Sequence, residues 1–183
     1  MLGSDIFRDY RKTEEVSFET FKEYGEKIPN ELLDVWKKYG FGQFLDGYIR
    51  IINPQEYVDV LKDSYGKGNS AIPIMTTAFG DIITWEDNRY IKMICYKDGL
   101  LKVIGAGFKF FFSNLMDEAY QKDYFDLKLY KDAKEIYGEA GFDECYGFVP
   151  LLGLGGKRSA ENLKIVKMKE HIGIITQLVG EIE

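Results

Sequence analysis

Two cysteines, one histidine, five arginines and four prolines are all that 183 residues carry of these types. Two thiols in so long a chain exclude a disulfide framework, which needs several paired cysteines in a short chain. A structural zinc site takes about four soft ligands, commonly in close pairs. Cys95, Cys145 and His171 are scattered, so they read as two packed thiols and one surface or capping histidine, with neither metal nor cofactor expected. Basic residues are also fewer than acidic ones, 24 against 30, for a net charge of −6. A nucleic-acid binder neutralises phosphates with a Lys/Arg surplus, so the balance disfavours that class. No run approaches the ~18 apolar residues of a membrane span. Residues 1–10 lack the charged and apolar regions of a secretory leader. The expectation is a cytoplasmic chain with reduced cysteines and no membrane contact.

Aromatic residues are abundant instead. Thirteen Tyr, 13 Phe and two Trp make up 15% of the chain. Each ring can bury roughly 150–250 Å², enough for one sizeable core or two small ones at this length. The bias towards Lys, Tyr, Phe and Ile reads as the composition of an AT-rich bacterial genome rather than as chemistry.

Turn and capping signals divide the chain. Ser17 opens a helix carrying Phe18, Phe21 and Tyr24. Asn30 caps a second helix through Tyr39, with Gly40 just past its end. Asp46-Gly47 marks a hairpin turn between apolar pairs. Asn53-Pro54-Gln55-Glu56 starts a helix running to about Tyr65. Strands are expected over 72–77, 82–85, 90–96 and 100–104, the last two joined by Lys97-Asp98-Gly99. An apolar run over 108–112 precedes a helix capped by Ser113 or Asn114. A short helix over 130–137 ends at Gly138, and a strand covers 163–168. The last helix presents Ile172, Ile175, Leu178 and Val179. This order predicts an α+β fold: a twisted, mostly antiparallel sheet, built mainly from 72–104 and flanked by helices from both ends of the chain. Gly105-Ala106-Gly107 is the weakest joint. It divides the chain into 1–104 and 105–183, either as two parts or within one compact unit.

Few constellations carry chemistry. Cys145 and His171, with Asp143 as orienter, are the types a thiol hydrolase uses, although a Cys packed beside Tyr146 is the commoner arrangement. Among 30 acidic residues, no spacing singles out an acid–base pair. Gly155-Gly156-Lys157 resembles the tail of a phosphate loop, but Arg158 stands where the Mg²⁺-binding hydroxyl belongs. Charge is unevenly spread. Residues 14–26 hold five Glu and one Lys, 135–144 hold four acids and no base, and 157–169 hold five bases and one acid. Such runs are often only solvated faces; the alternative is an acidic face that receives a basic partner.

Ile28-Pro29-Asn30-Glu31-Leu32-Leu33, Trp36, Tyr39-Gly40, Asp46-Gly47, Asn53-Pro54 with Tyr57, and Thr76-Thr77-Ala78-Phe79-Gly80-Asp81 with Trp85 resemble the GAD-like domain. Asp143-Glu144-Cys145-Tyr146-Gly147-Phe148-Val149-Pro150, Leu154-Gly155-Gly156, Glu161-Asn162-Leu163, His171-Ile172 and Gln177-Leu178 resemble the C-terminal domain of type VI secretion DNase-immunity proteins. Gly153 departs from the Ala that is common there. The resemblance spans about residues 18–179. It implies a non-enzymatic immunity protein whose partner is a cognate nuclease toxin, with no catalytic residue and no small-molecule substrate. With the charge pattern, it makes Glu135, Glu139, Asp143, Glu144 and Tyr146 the candidate partner-binding residues, and Glu15, Glu19 and Glu23 a second patch. Two other readings stay open. GAD-type domains also occur in tRNA-linked enzymes, so an accessory module touching RNA through 157–169 is one. A small Cys145/His171 hydrolase is the other.

Overall fold

A computed structural model describes residues 6–183. The first five residues, included in the N-terminal part above and searched for a leader, lie outside the described residues. The sheet begins earlier than the periodicity predicts. β1 (Arg11–Glu14) has four exposed side chains, so no alternation betrays it. It pairs antiparallel with β2 (Phe41–Phe44), with a bulge between Lys12 and Glu14. The close approach depends on Gly42, where a Cβ would lie 2.4 Å from the Arg11 carbonyl oxygen.

Between these strands run α1 (Phe18–Tyr24) and α2 (Asn30–Tyr39). Ser17 caps α1 as expected, its Oγ accepting from Thr20 N at 3.1 Å. Asn30 does not cap α2. The extended residue before it, Pro29, is the cap, and its carbonyl accepts from Leu32 and Leu33 N. The predicted hairpin links β2 to β3 (Ile49–Ile51). Its turn holds Leu45, Asp46 and Gly47 all at positive φ, and the Asp9 carboxylate accepts from Leu45 and Asp46 N. Asn53 caps a single 3₁₀ turn, Pro54–Glu56, and Tyr57 separates it from α3 (Val58–Ser64).

β4 (Ile72–Thr77), β5 (Ile82–Glu86), β6 (Tyr90–Cys95) and β7 (Leu100–Ala106) follow as read from the sequence. All seven strands form one antiparallel meander in chain order. β7 runs on through Gly105 and Ala106, with a register shift opposite Ile91 and Lys92. Alternation across β5 and β6 feeds two cores. Ile83 and Met93 face one that also holds Trp36, Phe44 and Tyr146. Ile82 and Ile94 face the other, with Leu61 and Cys145.

α4 (Phe111–Asn114), α5 (Glu118–Tyr124) and α6 (Leu127–Tyr137) come next. Ser113 and Asn114 lie inside α4; the cap of α5 is Asp117, which accepts from Tyr120 N at 2.9 Å. β8 (Glu144–Phe148) was not anticipated. It pairs with the expected β9 (Leu163–Lys167) in a small second sheet, and α7 (Met168–Val179) follows. The architecture is α+β, with helices from both ends flanking an antiparallel sheet.

Gly42→Val is expected to push β1 off the sheet and cost about 1–3 kcal/mol, as overpacking does. Urea unfolding and faster amide exchange at residues 11–14 would register it; unchanged exchange there would mean β1 does not need the glycine.

Candidate functional site

The expected acidic face is real as a sequence cluster, but most of it is paired within the molecule. Glu139 takes an ion pair from Arg11, with Nη1 at 2.9 Å from Oε2, and accepts from Gln43 Nε2 at 3.1 Å. The Arg11 hydrogen bond holds its carboxyl below the usual range. Asp143 lies 2.8 Å from Lys167 Nζ, and that hydrogen bond lowers its pKa. Glu144 accepts from Gly141 N at 2.9 Å and sits 3.3 Å from the same lysine; both hold its carboxyl down. Tyr146 is 1% exposed, so its ring serves the core and offers no surface to a partner. It packs on Phe79 and Tyr130, and its hydroxyl donates to the Gly138 carbonyl. Glu135 is exposed on α6, on the wall of a wide polar depression of about 960 Å³. In the second patch, Glu15 pairs with Lys12 and Glu23 with Lys27. Glu19 is exposed in the first turn of α1.

Three of the five bases in the basic run are similarly paired. Lys167 meets Asp143 and Glu144, Lys169 approaches Glu56, and Arg158 bridges Asp98 and Asp126. Lys157 and Lys164 are exposed and make no ion pair among the described residues.

Cys145 is fully buried, and burial pushes its thiol up to about 12. His171 is 8% exposed, and burial alone lowers its pKa. Its ring lies over Gly147, where a Cβ would come within 2.6 Å of Nε2. Among the described residues no hydrogen bond joins it to Cys145. A catalytic thiol works with a depressed pKa and a base in hydrogen-bond reach, whereas burial raises this one and it makes no such bond to His171.

The glycine-rich stretch is no phosphate cradle either. The amides of Leu154, Gly155 and Gly156 already donate to the carbonyls of Leu151, Leu152 and Leu151. Asn162 Nδ2 closes the loop by donating to the Pro150 and Lys157 carbonyls at 3.1 Å each. The loop instead walls a groove of about 390 Å³ against the end of α7. Phe148, Leu151, Leu154, Ile175, Leu178 and Val179 supply its apolar surface, and His171 also lines it. Leu178 and Val179, at the end of the expected apolar face of α7, are 52% and 57% exposed. The signal for this surface was the run Leu151-Leu152-Gly153-Leu154, too apolar for a solvated loop.

Residues 5–97 match the family described as the GAD-like domain, and residues 106–179 match the family described as T6SS immunity protein Tdi1, C-terminal. Among solved structures, the chain is similar to Atu4351 from Agrobacterium tumefaciens. That match has a TM-score of 0.77 at 17% identity and covers 93% of this chain and 86% of that one, a likeness of fold. A comparison with curated proteins finds no match. No helix among the described residues is long and apolar enough to cross a membrane.

Two outcomes are expected here. Both thiols, Cys145 and Cys95, are pushed up to about 12 by burial. At pH 7.5 a thiol reagent should label them only after denaturation; fast labelling of native Cys145 would revive a thiol enzyme. The lowered carboxyls of Glu139, Asp143 and Glu144 contribute their full stability above the ordinary carboxylate pKa of about 4 and lose it as pH falls below that value. Urea midpoints between pH 6 and 3 should drop at the acid end, and Lys167→Ala should shrink the drop.

Proposed function

Because the chain belongs to the GAD-like domain family and carries a match to a type VI immunity protein's C-terminal domain behind it, we propose that it binds and neutralises a cognate nuclease toxin in the bacterial cytoplasm, without catalysing a reaction itself. The observation that carries this reading is the family match over residues 106–179. The geometry of Cys145 and His171 supports a binding role over an enzymatic one.

Charge has a defined place in this reading. A nuclease must present a cationic groove to hold a polyanion. A partner of net charge −6, with Glu135, Glu19 and the half-paired carboxylates on its surface, attracts such a groove over a Debye length and raises the encounter rate. Ion pairs already satisfied inside the molecule add little to the holding energy, because exposed pairs are worth about 0–1 kcal/mol. Glu135, Glu139, Asp143 and Glu144, with Glu15, Glu19 and Glu23, therefore act as a steering field, and Tyr146 holds β8 rigid beneath it. Bound in this way, the protein covers the groove and excludes DNA.

The test is co-production with each toxin candidate that carries a nuclease-like domain and is encoded next to its gene. The cells should survive, and the purified pair should leave DNA intact. Raising salt from 50 to 300 mM should slow association roughly tenfold or more, with dissociation little changed. Glu19→Lys with Glu135→Lys should slow association in the same way. DNA cleavage that continues at saturating amounts of this chain would overturn the reading.

A further inference from the structure

Two buried cations of this chain face carboxylates, and a third does not. Lys92 lies 2.6 Å from Glu86, and Lys97 lies 3.1 Å from Asp81. Arg50 is 1% exposed and makes no ion pair among the described residues. Its two hydrogen bonds run from Nη1 to the carbonyls of Phe142, at 3.2 Å, and of Glu144. Its Nε makes none. Burial weighs against the charge, and the hydrogen bonds that offset it all go to one turn.

Donor and acceptors belong to different regions. Arg50 lies on β3, within the match to the GAD-like domain, and Phe142 and Glu144 lie within the match to the immunity protein's C-terminal domain. Ile49 and Ile51 beside Arg50 enter the first core, so strand alternation sends Arg50 to the opposite face of the sheet.

Apolar packing alone does not fix where β8 sits along that sheet. β8 forms no ladder with the seven strands. Among the described residues, one backbone hydrogen bond joins them, from Tyr146 N to the Ala78 carbonyl at 2.8 Å. Alternation sends Cys145 to one core and Tyr146 and Phe148 to the other. A slip of two residues keeps every side chain on its face and brings the Phe148 ring to where Tyr146 packs on Phe79 and Tyr130. Gly147 under the His171 ring and Asp143 beside Lys167 would move together with their partners, so neither contact opposes the slip. A buried cation does oppose it, because a wrong placement leaves the charge without its acceptors. Fixing register is the best-attested use of a buried polar group.

We propose that Arg50 is a positioning residue: its guanidinium, seated on the Phe142 and Glu144 carbonyls, fixes the register of the acidic turn and β8 on the seven-stranded sheet. The consequence reaches the surface. Asp143 and Glu144 stand on the held turn, whereas Glu15 and Glu19 stand on the first region, so Arg50 sets the spacing between the two acidic patches. The proposal holds whatever partner the chain binds, and the immunity reading stands or falls separately.

Cys95 and Cys145 are buried, so Lys37→Cys and Lys164→Cys, at exposed positions of α2 and β9, take spin labels selectively. The doubly labelled chain should show one narrow distance by double electron–electron resonance. With Arg50→Met added, the melting temperature should stay within a few degrees, because an apolar side chain in place of a buried charge costs little. A second distance population should nevertheless appear, displaced by up to about 7 Å, the span of two strand residues. The original distance alone, with the melting temperature kept or lowered, gives Arg50 no positioning role and overturns the proposal. Since Arg50→Met can fail to fold, NMR of the native chain supplies a reading that needs no variant. The Arg50 Nη protons should give resolved, slowly rotating signals with couplings across the hydrogen bonds to the carbonyl carbons of Phe142 and Glu144. Signals averaged as in a free arginine overturn the proposal.

Discussion

The buried ammonium of Lys97 is the constraint on which the rest of this surface depends. Its side chain is 8% exposed and faces Asp81, itself 1% exposed, at 3.1 Å, with Asp126 and Asp98 at 3.6 and 3.7 Å. Burial works against the charged lysine, but these carboxylates outweigh it and raise its pKa. Thr77 Oγ1 donates to Asp81 as well. Two charges taken out of water cost several kcal/mol each, and losing one partner of such a pair typically costs about 3–5 kcal/mol. Asp98 and Asp126 then hold Arg158, so one network ties the start of β5, the β6–β7 connection, the start of α6 and the glycine-rich loop together. The loop that walls the groove is fixed by charge at one end and by Asn162 at the other.

A second seam is aromatic. Tyr48 in the β2–β3 turn packs on Phe125 and Tyr130 at 5.3 and 5.2 Å, and Tyr130 packs on Tyr146 at 5.8 Å. Such pairs add about 0.5–1.5 kcal/mol each beyond the area they bury. Beside them, Tyr146 N donates to the Ala78 carbonyl at 2.8 Å. The buried Arg50 donates from β3 to the Phe142 carbonyl at 3.2 Å and to that of Glu144. The regions matched by the two families thus pack into shared cores, and aromatic pairs such as Tyr48–Phe125 and Phe79–Tyr146 join them.

This explains what was legible in the sequence. Strands β4 to β7 announced themselves because alternation and tight turns are local. Ser17 and Asn53 were legible as caps for the same reason. β1 and β8 were not: β1 is polar throughout, and β8 carries Gly147 because the His171 ring occupies the space of a side chain. The acidic residues were legible as a cluster, but their partners were not. Arg11 meets Glu139 across 128 positions, and Lys167 meets Asp143 across 24, separations that no count of local charge can register. Helical periodicity likewise identifies the apolar face of Leu178 and Val179, but not whether other elements cover it.

Charge and apolar surface act over different ranges in this molecule. Long-range attraction needs only net charge, and it survives the internal pairing that removes short-range contacts, because an ion pair between neighbouring side chains leaves the overall excess of acids intact. Apolar contact acts only at close range, and exposed Leu154, Leu178 and Val179 line one small groove. A small patch limits self-association, and rigid walls reduce the ordering that binding must otherwise impose. The Lys97 network supplies that rigidity, since Arg158 cannot swing out without abandoning two carboxylates. A buried ion pair, a poor source of stability in itself, is in this fold the anchor through which Asp98 and Asp126 reach Arg158 and the glycine-rich loop.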